Sequence, residues 1–122
     1  MFKLGSTSSK TLGTCVHQLQ DVVRRALELS DVDFSVIEGI RSIDTQRQYV
    51  AEGLSWTMDS KHLTGRAVDL YPWVDGETSH EPAHYNRVAK AMFAAAQELG
   101  VTIEWGGFWY THVNDKPHWA LD

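Results

Sequence analysis

Two short segments of this chain carry residue types able to hold a divalent metal and to move a proton beside it. The first, Ser60-Lys61-His62-Leu63-Thr64-Gly65-Arg66-Ala67-Val68-Asp69, sets a histidine and an aspartate seven residues apart with a glycine between them. Catalytic zinc sites draw three ligands from His, Asp and Glu and leave a fourth position open. On one straight helix seven residues rise roughly 10 Å, too far for two ligands each about 2 Å from a single ion. On one straight strand the two side chains would face opposite ways. A turn at Thr64-Gly65 removes the difficulty by folding His62 back over the start of the strand that carries Asp69. The second segment, Asp115-Lys116-Pro117-His118, offers the third ligand, with a carboxylate three residues ahead of the histidine. That spacing suits a division of labour in which His118 binds the metal and Asp115 serves as base for the water that the metal activates.

Each of these residues has an ordinary alternative. A lone histidine is usually a hydrogen-bonded structural residue and a lone aspartate a turn residue; what favours ligation is their joint occurrence with Gly65 and Asp115. His80-Glu81-Pro82-Ala83-His84 spells HExxH, but that motif needs both histidines one turn apart on one helix, and a proline in a helix interior costs about 3 kcal/mol. Pro82 is comfortable only in a first turn, which leaves His80 outside the helix. The expected role of this segment is therefore a helix start. Glu104, beside Trp105 on an expected strand, reads as a structural partner, and His17 and His112 as structural histidines. Arg41 could equally pair with a surface acid. Of Trp56, Trp73, Trp105, Trp109 and Trp119, some belong in a core, and one or two could line a cleft for sugar or peptide.

The elements that must position these groups are readable in part. Val16, Leu19, Val22, Val23, Ala26 and Leu27 recur at helical spacing, predicting a first helix capped by Ser8 or Ser9 and ending near Ser30. Phe34–Glu38 alternates as a strand, broken by Gly39. A helix is expected from Asp44 to Glu52, closed by Gly53. Residues 55–65 read as a loop. A strand follows at Arg66–Tyr71, stopped by Pro72, and then a polar loop. The helical face traced by Tyr85, Val88, Ala89, Met92, Phe93 and Ala96 predicts a helix over 82–99 with Gly100 as cap. Val101–Trp105 and Pro117–Leu121 read as strands, with Gly106-Gly107 as a turn. This mixture, without regular βαβ alternation, predicts an α+β fold: a small antiparallel sheet with helices packed on it, in one domain spanning residues 1–122.

Composition narrows the function. A length of 122 residues with 43% hydrophobic and 22% charged residues suits a single soluble domain with its own core. The net charge of −5 without a basic block argues against a nucleic-acid partner. One cysteine, Cys15, cannot form an internal disulfide or a thiolate zinc cage. No stretch has the length of a membrane span, and the N-terminus lacks a signal-peptide core, so membrane insertion is not expected and synthesis in a cytoplasm is. A monomer is expected.

Ser60-x-His62-x-x-Gly65-x-Ala67-x-Asp69, Trp105-Gly106-Gly107 and Asp115-x-Pro117-His118 together resemble the peptidase M15 family, in particular the phage endolysins that are L-alanyl-D-glutamate peptidases. The resemblance extends to Gly13, Val16 and His17, to Glu38-Gly39-Ile40-Arg41-Ser42, and to Gln46 or Gln48, and so spans nearly the whole chain. It implies a zinc peptidase fold of the lysostaphin and D-Ala-D-Ala metallopeptidase type. It further implies Zn2+ on His62, Asp69 and His118, a general base at Asp115, and Arg41 steadying the substrate carbonyl as it becomes an oxyanion. The implied substrate is the peptidoglycan stem peptide, cut between L-alanine and D-glutamate during host cell lysis. The enzyme would wait in the host cytoplasm until the membrane is opened and then act on the wall. Relatives with the same metal site cut D-alanyl-D-alanine, which makes a carboxypeptidase or dipeptidase the nearest alternative; a non-catalytic module binding zinc or cell wall is a third. The chain departs from the endolysin pattern Trp-Gly-Gly-Asp-Trp at Phe108, where the acid would stand. No Asp/Asn-rich loop suggests a calcium site.

Overall fold

The computed structural model describes residues 2–55, 57–109 and 114–122; Trp56 and His112 lie outside them. Among the described residues five strands form one antiparallel sheet: β1 (Asp33–Glu38), β2 (Ala67–Val74), β3 (Glu77–Thr78), β4 (Ile103–Trp105) and β5 (His118–Leu121). The order is β1-β2-β5-β4, with β3 pairing to the far end of β2. Among the described residues four α-helices accompany the sheet: α1 (Ser6–Leu12), α2 (His17–Leu29), α3 (Ile43–Ala51) and α4 (Pro82–Leu99). This is the α+β architecture expected from the sequence.

α2 turns Leu19, Val22, Val23, Ala26 and Leu27 inward, and α4 turns Val88, Ala89, Met92, Ala95 and Ala96 inward. The two helices pack against each other, and α4 packs against β2 and β4. Their apolar faces meet Phe34, Val36, Val68, Leu70, Trp119 and Leu121 in one core. Trp105 and Trp119 stack at 5.4 Å within it. The sheet's inner face is thereby covered, and the alternate residues of β2, namely Asp69, Tyr71 and Trp73, stand on the outer face.

Four expectations need correction. The Ser-rich start is not the cap of the first long helix but a helix of its own, α1, separated from α2 by Gly13–Val16. Buried Ser8 explains its place: its Oγ accepts the Val36 N–H at 3.0 Å, a donor that β1, an edge strand, cannot give to a neighbour. β2 runs through Pro72 to Val74. Pro72 is tolerated because its carbonyl faces Ser79, on the side where β5 has already stopped, so its missing N–H removes no bond to β1. The polar loop after Tyr71 contains a hairpin, with Asp75 and Gly76 both at positive φ joining β2 to β3. Within the loop over 55–65, Lys61–Thr64 forms a 3-10 turn.

Candidate metal centre and active site

The strand register brings the site together. Asp69 on β2 lies opposite His118 on β5 and opposite Glu38 on β1, so the three side chains share the outer face across three strands. Glu38 reaches that row because the register slips between Val36 and Glu38. His62 arrives from the 3-10 turn, which Ser60 caps by accepting the His62 N–H at 3.2 Å. Gly65, at φ 69°, ends the turn in the left-handed conformation and directs the chain into β2. The expected fold-back at Thr64-Gly65 is what the structure has.

His62 is 2% exposed, and its Nδ1 lies 2.8 Å from the Gly39 carbonyl. A carbonyl only accepts, so Nδ1 carries the proton and Nε2 presents its lone pair. Nε2 lies 3.3 Å from Asp69 Oδ1, and His118 Nδ1 lies 3.5 Å from the same oxygen. The ligand atoms of His62, Asp69 and His118 all fall within 4.8 Å of one another, the one such group among the described residues. His62 Nε2 and Asp69 Oδ1 are buried and have no hydrogen-bond partner among the described residues. Leaving such a group unsatisfied costs about 1–3 kcal/mol. A cation among the three would satisfy both atoms, and two imidazoles with one carboxylate are a donor set suited to zinc. The residues therefore fit a metal.

Asp115 sits one turn before His118, whose N–H donates to the Asp115 carbonyl at 3.1 Å. The Asp115 N–H donates to the Gly106 carbonyl at 3.0 Å. A Cβ on Gly106 would lie 2.2 Å from the Asp115 carbonyl oxygen, so only glycine lets the two segments meet. Burial raises the Asp115 carboxyl above the ordinary range and the charge of Asp69 adds to this, while His118, His62 and Arg41 pull it back. Burial also pulls Asp69 upward, but the two histidines beside it win and hold its carboxyl well below the usual range. Two neighbouring carboxylates are thus driven apart, one kept ionised and the other made more basic.

Arg41 closes the opposite side. Its backbone N–H donates to the His62 carbonyl at 2.9 Å, its Nε donates to Glu38, and its Nη1 donates to Gln46 Oε1 at 2.7 Å. Its guanidinium lies 4.7 Å from the Tyr49 ring centroid. Gln46 is fully buried, and its amide donates in turn to Ser55 Oγ and to the Thr57 carbonyl. Nη2 makes no hydrogen bond among the described residues and is the nitrogen left to meet a ligand.

The five residues singled out for chemistry thus lie at one end of the sheet. The HExxH segment gathers nothing: Pro82 opens α4, His80 lies before it against Tyr85 Oη at 3.2 Å, and His84 meets Ser79 Oγ at 2.6 Å. Glu104 faces Lys61 Nζ at 3.6 Å, and His17 is exposed at the start of α2. Phe108 is 74% exposed, stacked on Phe93 and edge-on to Trp105, so the departure from the endolysin pattern falls away from the metal-binding side chains. Sequence reasoning gave no role to Glu38 and left Trp109 among five tryptophans of which one or two could line a cleft. Trp109 covers His118 at 5.2 Å between ring centroids. The signal for Glu38 was its place three residues before Arg41.

A family model described as phage L-alanyl-D-glutamate peptidase matches residues 1–119. The L-alanyl-D-glutamate peptidase of Escherichia phage T5 is 40% identical over 112 residues, covering 88% of this chain and 82% of the relative. That of Listeria phage A118 is 36% identical over 91 residues, 75% of this chain but 31% of a longer protein. Among solved structures, the crystal structure of the Serratia marcescens L-Ala D-Glu endopeptidase ChiX matches with a TM-score of 0.92 at 41% identity, covering 98% of this chain and 90% of the other.

Proposed function

The chain belongs to the phage L-alanyl-D-glutamate peptidase family, and from that premise we propose that it hydrolyses the L-alanyl-D-glutamate amide bond of the peptidoglycan stem with zinc on His62, Asp69 and His118. The observation that carries the metal assignment is the buried, unpartnered pair His62 Nε2 and Asp69 Oδ1 beside His118. Bound there, zinc supplies Lewis acidity toward a water and a carbonyl oxygen, at a pKa for the water of about 7.

The chain's own residues do the rest. Asp115 takes the proton from the attacking water and delivers it to the departing D-glutamate nitrogen as the amide bond breaks. Its raised affinity for a proton suits both halves of that transfer. Arg41, held at Nε and Nη1, turns Nη2 toward the oxygen that gains charge in the tetrahedral state. Gly39 and Ser60 fix His62, and Trp109 covers His118. A base beside the metal-binding group argues for hydrolysis over a binding module, which has no use for one.

We place the action on the bacterial wall during host lysis, after synthesis in the host cytoplasm, with one domain and a monomer as the working unit. Among the described residues no helix is long and apolar enough to cross a membrane. The test is mass spectrometry of purified peptidoglycan digested by the zinc-loaded protein and by Asp115→Asn. Stem peptides beginning at D-glutamate, lost in the variant, support the proposal. Free D-alanine would move the assignment to a carboxypeptidase, and a wall fragment held but left uncut by both proteins would move it to a binding module.

A further inference from the structure

The outer face of β2 does not end at the metal centre. Asp69, Tyr71 and Trp73 follow one another on that face, and four residues at roughly 3.3 Å each put Trp73 about 13 Å along the strand from Asp69. Trp73 is 40% exposed, unlike buried Trp105 and Trp119. It borders a groove of about 380 Å³ between β1 and the segment leading into α1. Asp33 and Ser35, opposite Trp73 and Tyr71 in the register, lie on the same face and line it with Lys3, Ser6 and Thr7. Asp33 is held in place by the Phe34 N–H, which donates to its Oδ1 at 2.8 Å.

An indole beside carboxylate, hydroxyl and ammonium groups matches the two-sided character of a pyranose ring. The ring's axial C–H bonds make an apolar face that lies flat on an aromatic plane, and its hydroxyl rim needs donors and acceptors around it. The proposed substrate supplies such a ring at a suitable distance. Its L-alanine is joined through a lactyl ether to a muramic acid, so one residue of about 3.5 Å and an ether arm of similar length separate the cut bond from the first sugar. That sugar and the next one bracket the position of Trp73.

We propose that the Trp73 groove is a glycan subsite, in which the muramyl end of the strand lies over Tyr71 and onto Trp73 while the stem peptide crosses the metal centre. This inference rests on the proposed L-alanyl-D-glutamate activity and gives it a direction: the sugar side runs along β2 away from Asp69. The enzyme then recognises wall-attached stems and discriminates against free stem peptides.

Two substrates of identical peptide sequence test it, one carrying the N-acetylglucosaminyl-N-acetylmuramyl disaccharide and one bare. The zinc-loaded enzyme should prefer the first by about tenfold in kcat/KM, mainly through KM. Trp73→Ala should collapse that preference to about twofold, with Trp73→Tyr retaining most of it. Asp33→Asn and Ser35→Ala carry the same comparison should Trp73→Ala fail to fold. Independently, titrating the peptide-free disaccharide should shift the Trp73 indole N–H resonance. Equal use of both substrates by the parent enzyme, or a preference untouched by all these variants, would overturn the subsite. If the parent cut neither substrate at L-alanyl-D-glutamate, the proposed function would fail, and the indole titration would still decide whether sugar binds at Trp73.

Discussion

Asp69 and Arg41 face the same end of the sheet, yet their surroundings treat polar atoms in opposite ways. Around Arg41 two of the three guanidinium nitrogens are answered within the chain: Glu38 takes Nε, Gln46 takes Nη1, and Gln46 is itself held by Ser55 and Thr57. Around Asp69 the neighbours are two imidazoles at 3.3 and 3.5 Å, and buried lone pairs are left without donors among the described residues. The first arrangement builds a fixed cation from protein alone, whereas the second is complete only when a cation is supplied. If the proposed metal fills the second half, the site's two halves should respond differently to chelation and to mutation.

The largest expected effect follows removal of a metal ligand. His118→Ala should abolish hydrolysis, and inductively coupled plasma mass spectrometry should find zinc well below one per chain. Chelation of the parent should lower its melting temperature, because an ion that binds only the folded state stabilises it by mass action. An Arg41→Ala protein should show the same chelation-induced shift, and loss of that shift would break the separation between the two halves.

Next in size is Asp115→Asn, expected to lower kcat by about 10² to 10⁴ with zinc content unchanged. Since burial raises the Asp115 carboxyl, and the base works only when ionised, kcat/KM should fall as pH drops through a value above the ordinary aspartate pKa of about 3.9. Asp115→Glu should move that limb without changing zinc occupancy across the same pH range; a limb that merely followed zinc loss would instead report protonation of the ligands. Gly106→Ala should mimic Asp115→Asn in part, because a Cβ there collides with the Asp115 backbone.

Arg41→Ala should lower kcat by about 10² with zinc retained, as expected for one group aimed at developing charge. Gln46→Ala, which frees the Nη1 side of the guanidinium and also removes the tie to Ser55 and Thr57, should cost roughly 10-fold. Phe108→Asp, which restores the acid of the endolysin pattern, should change kcat/KM least, because Phe108 lies on Phe93 and Trp105 and away from the metal group. A large gain there would show that the rim reaches the chemistry.

The convergence of His62 and Asp69 was legible in the sequence, because the two could meet only through a turn, and the single Thr64-Gly65 step offered one. The Arg41 half was less so. Glu38 stands three residues before Arg41, but nothing local says that Gln46 will hold the same guanidinium; the arrangement depends on a register slip in β1 and on the loop carrying Ser55 and Thr57, both settled by tertiary packing. The same holds for α1, whose separate existence rests on Ser8 answering an edge-strand donor twenty-eight residues away. Pro72 misled because its cost depends on which side of β2 has a neighbour, a property of strand order. The Asp75-Gly76 hairpin, by contrast, had a readable turn signal.

Zinc K-edge X-ray absorption on the purified, zinc-loaded protein tests the central claim most directly. The account predicts a shell of two imidazole nitrogens at about 2.0–2.1 Å with carboxylate and solvent oxygen at about 2.0–2.2 Å, and the imidazole signature halved in His62→Ala. A sulfur shell near 2.3 Å, or an unchanged spectrum in His62→Ala, would place the metal elsewhere and contradict it.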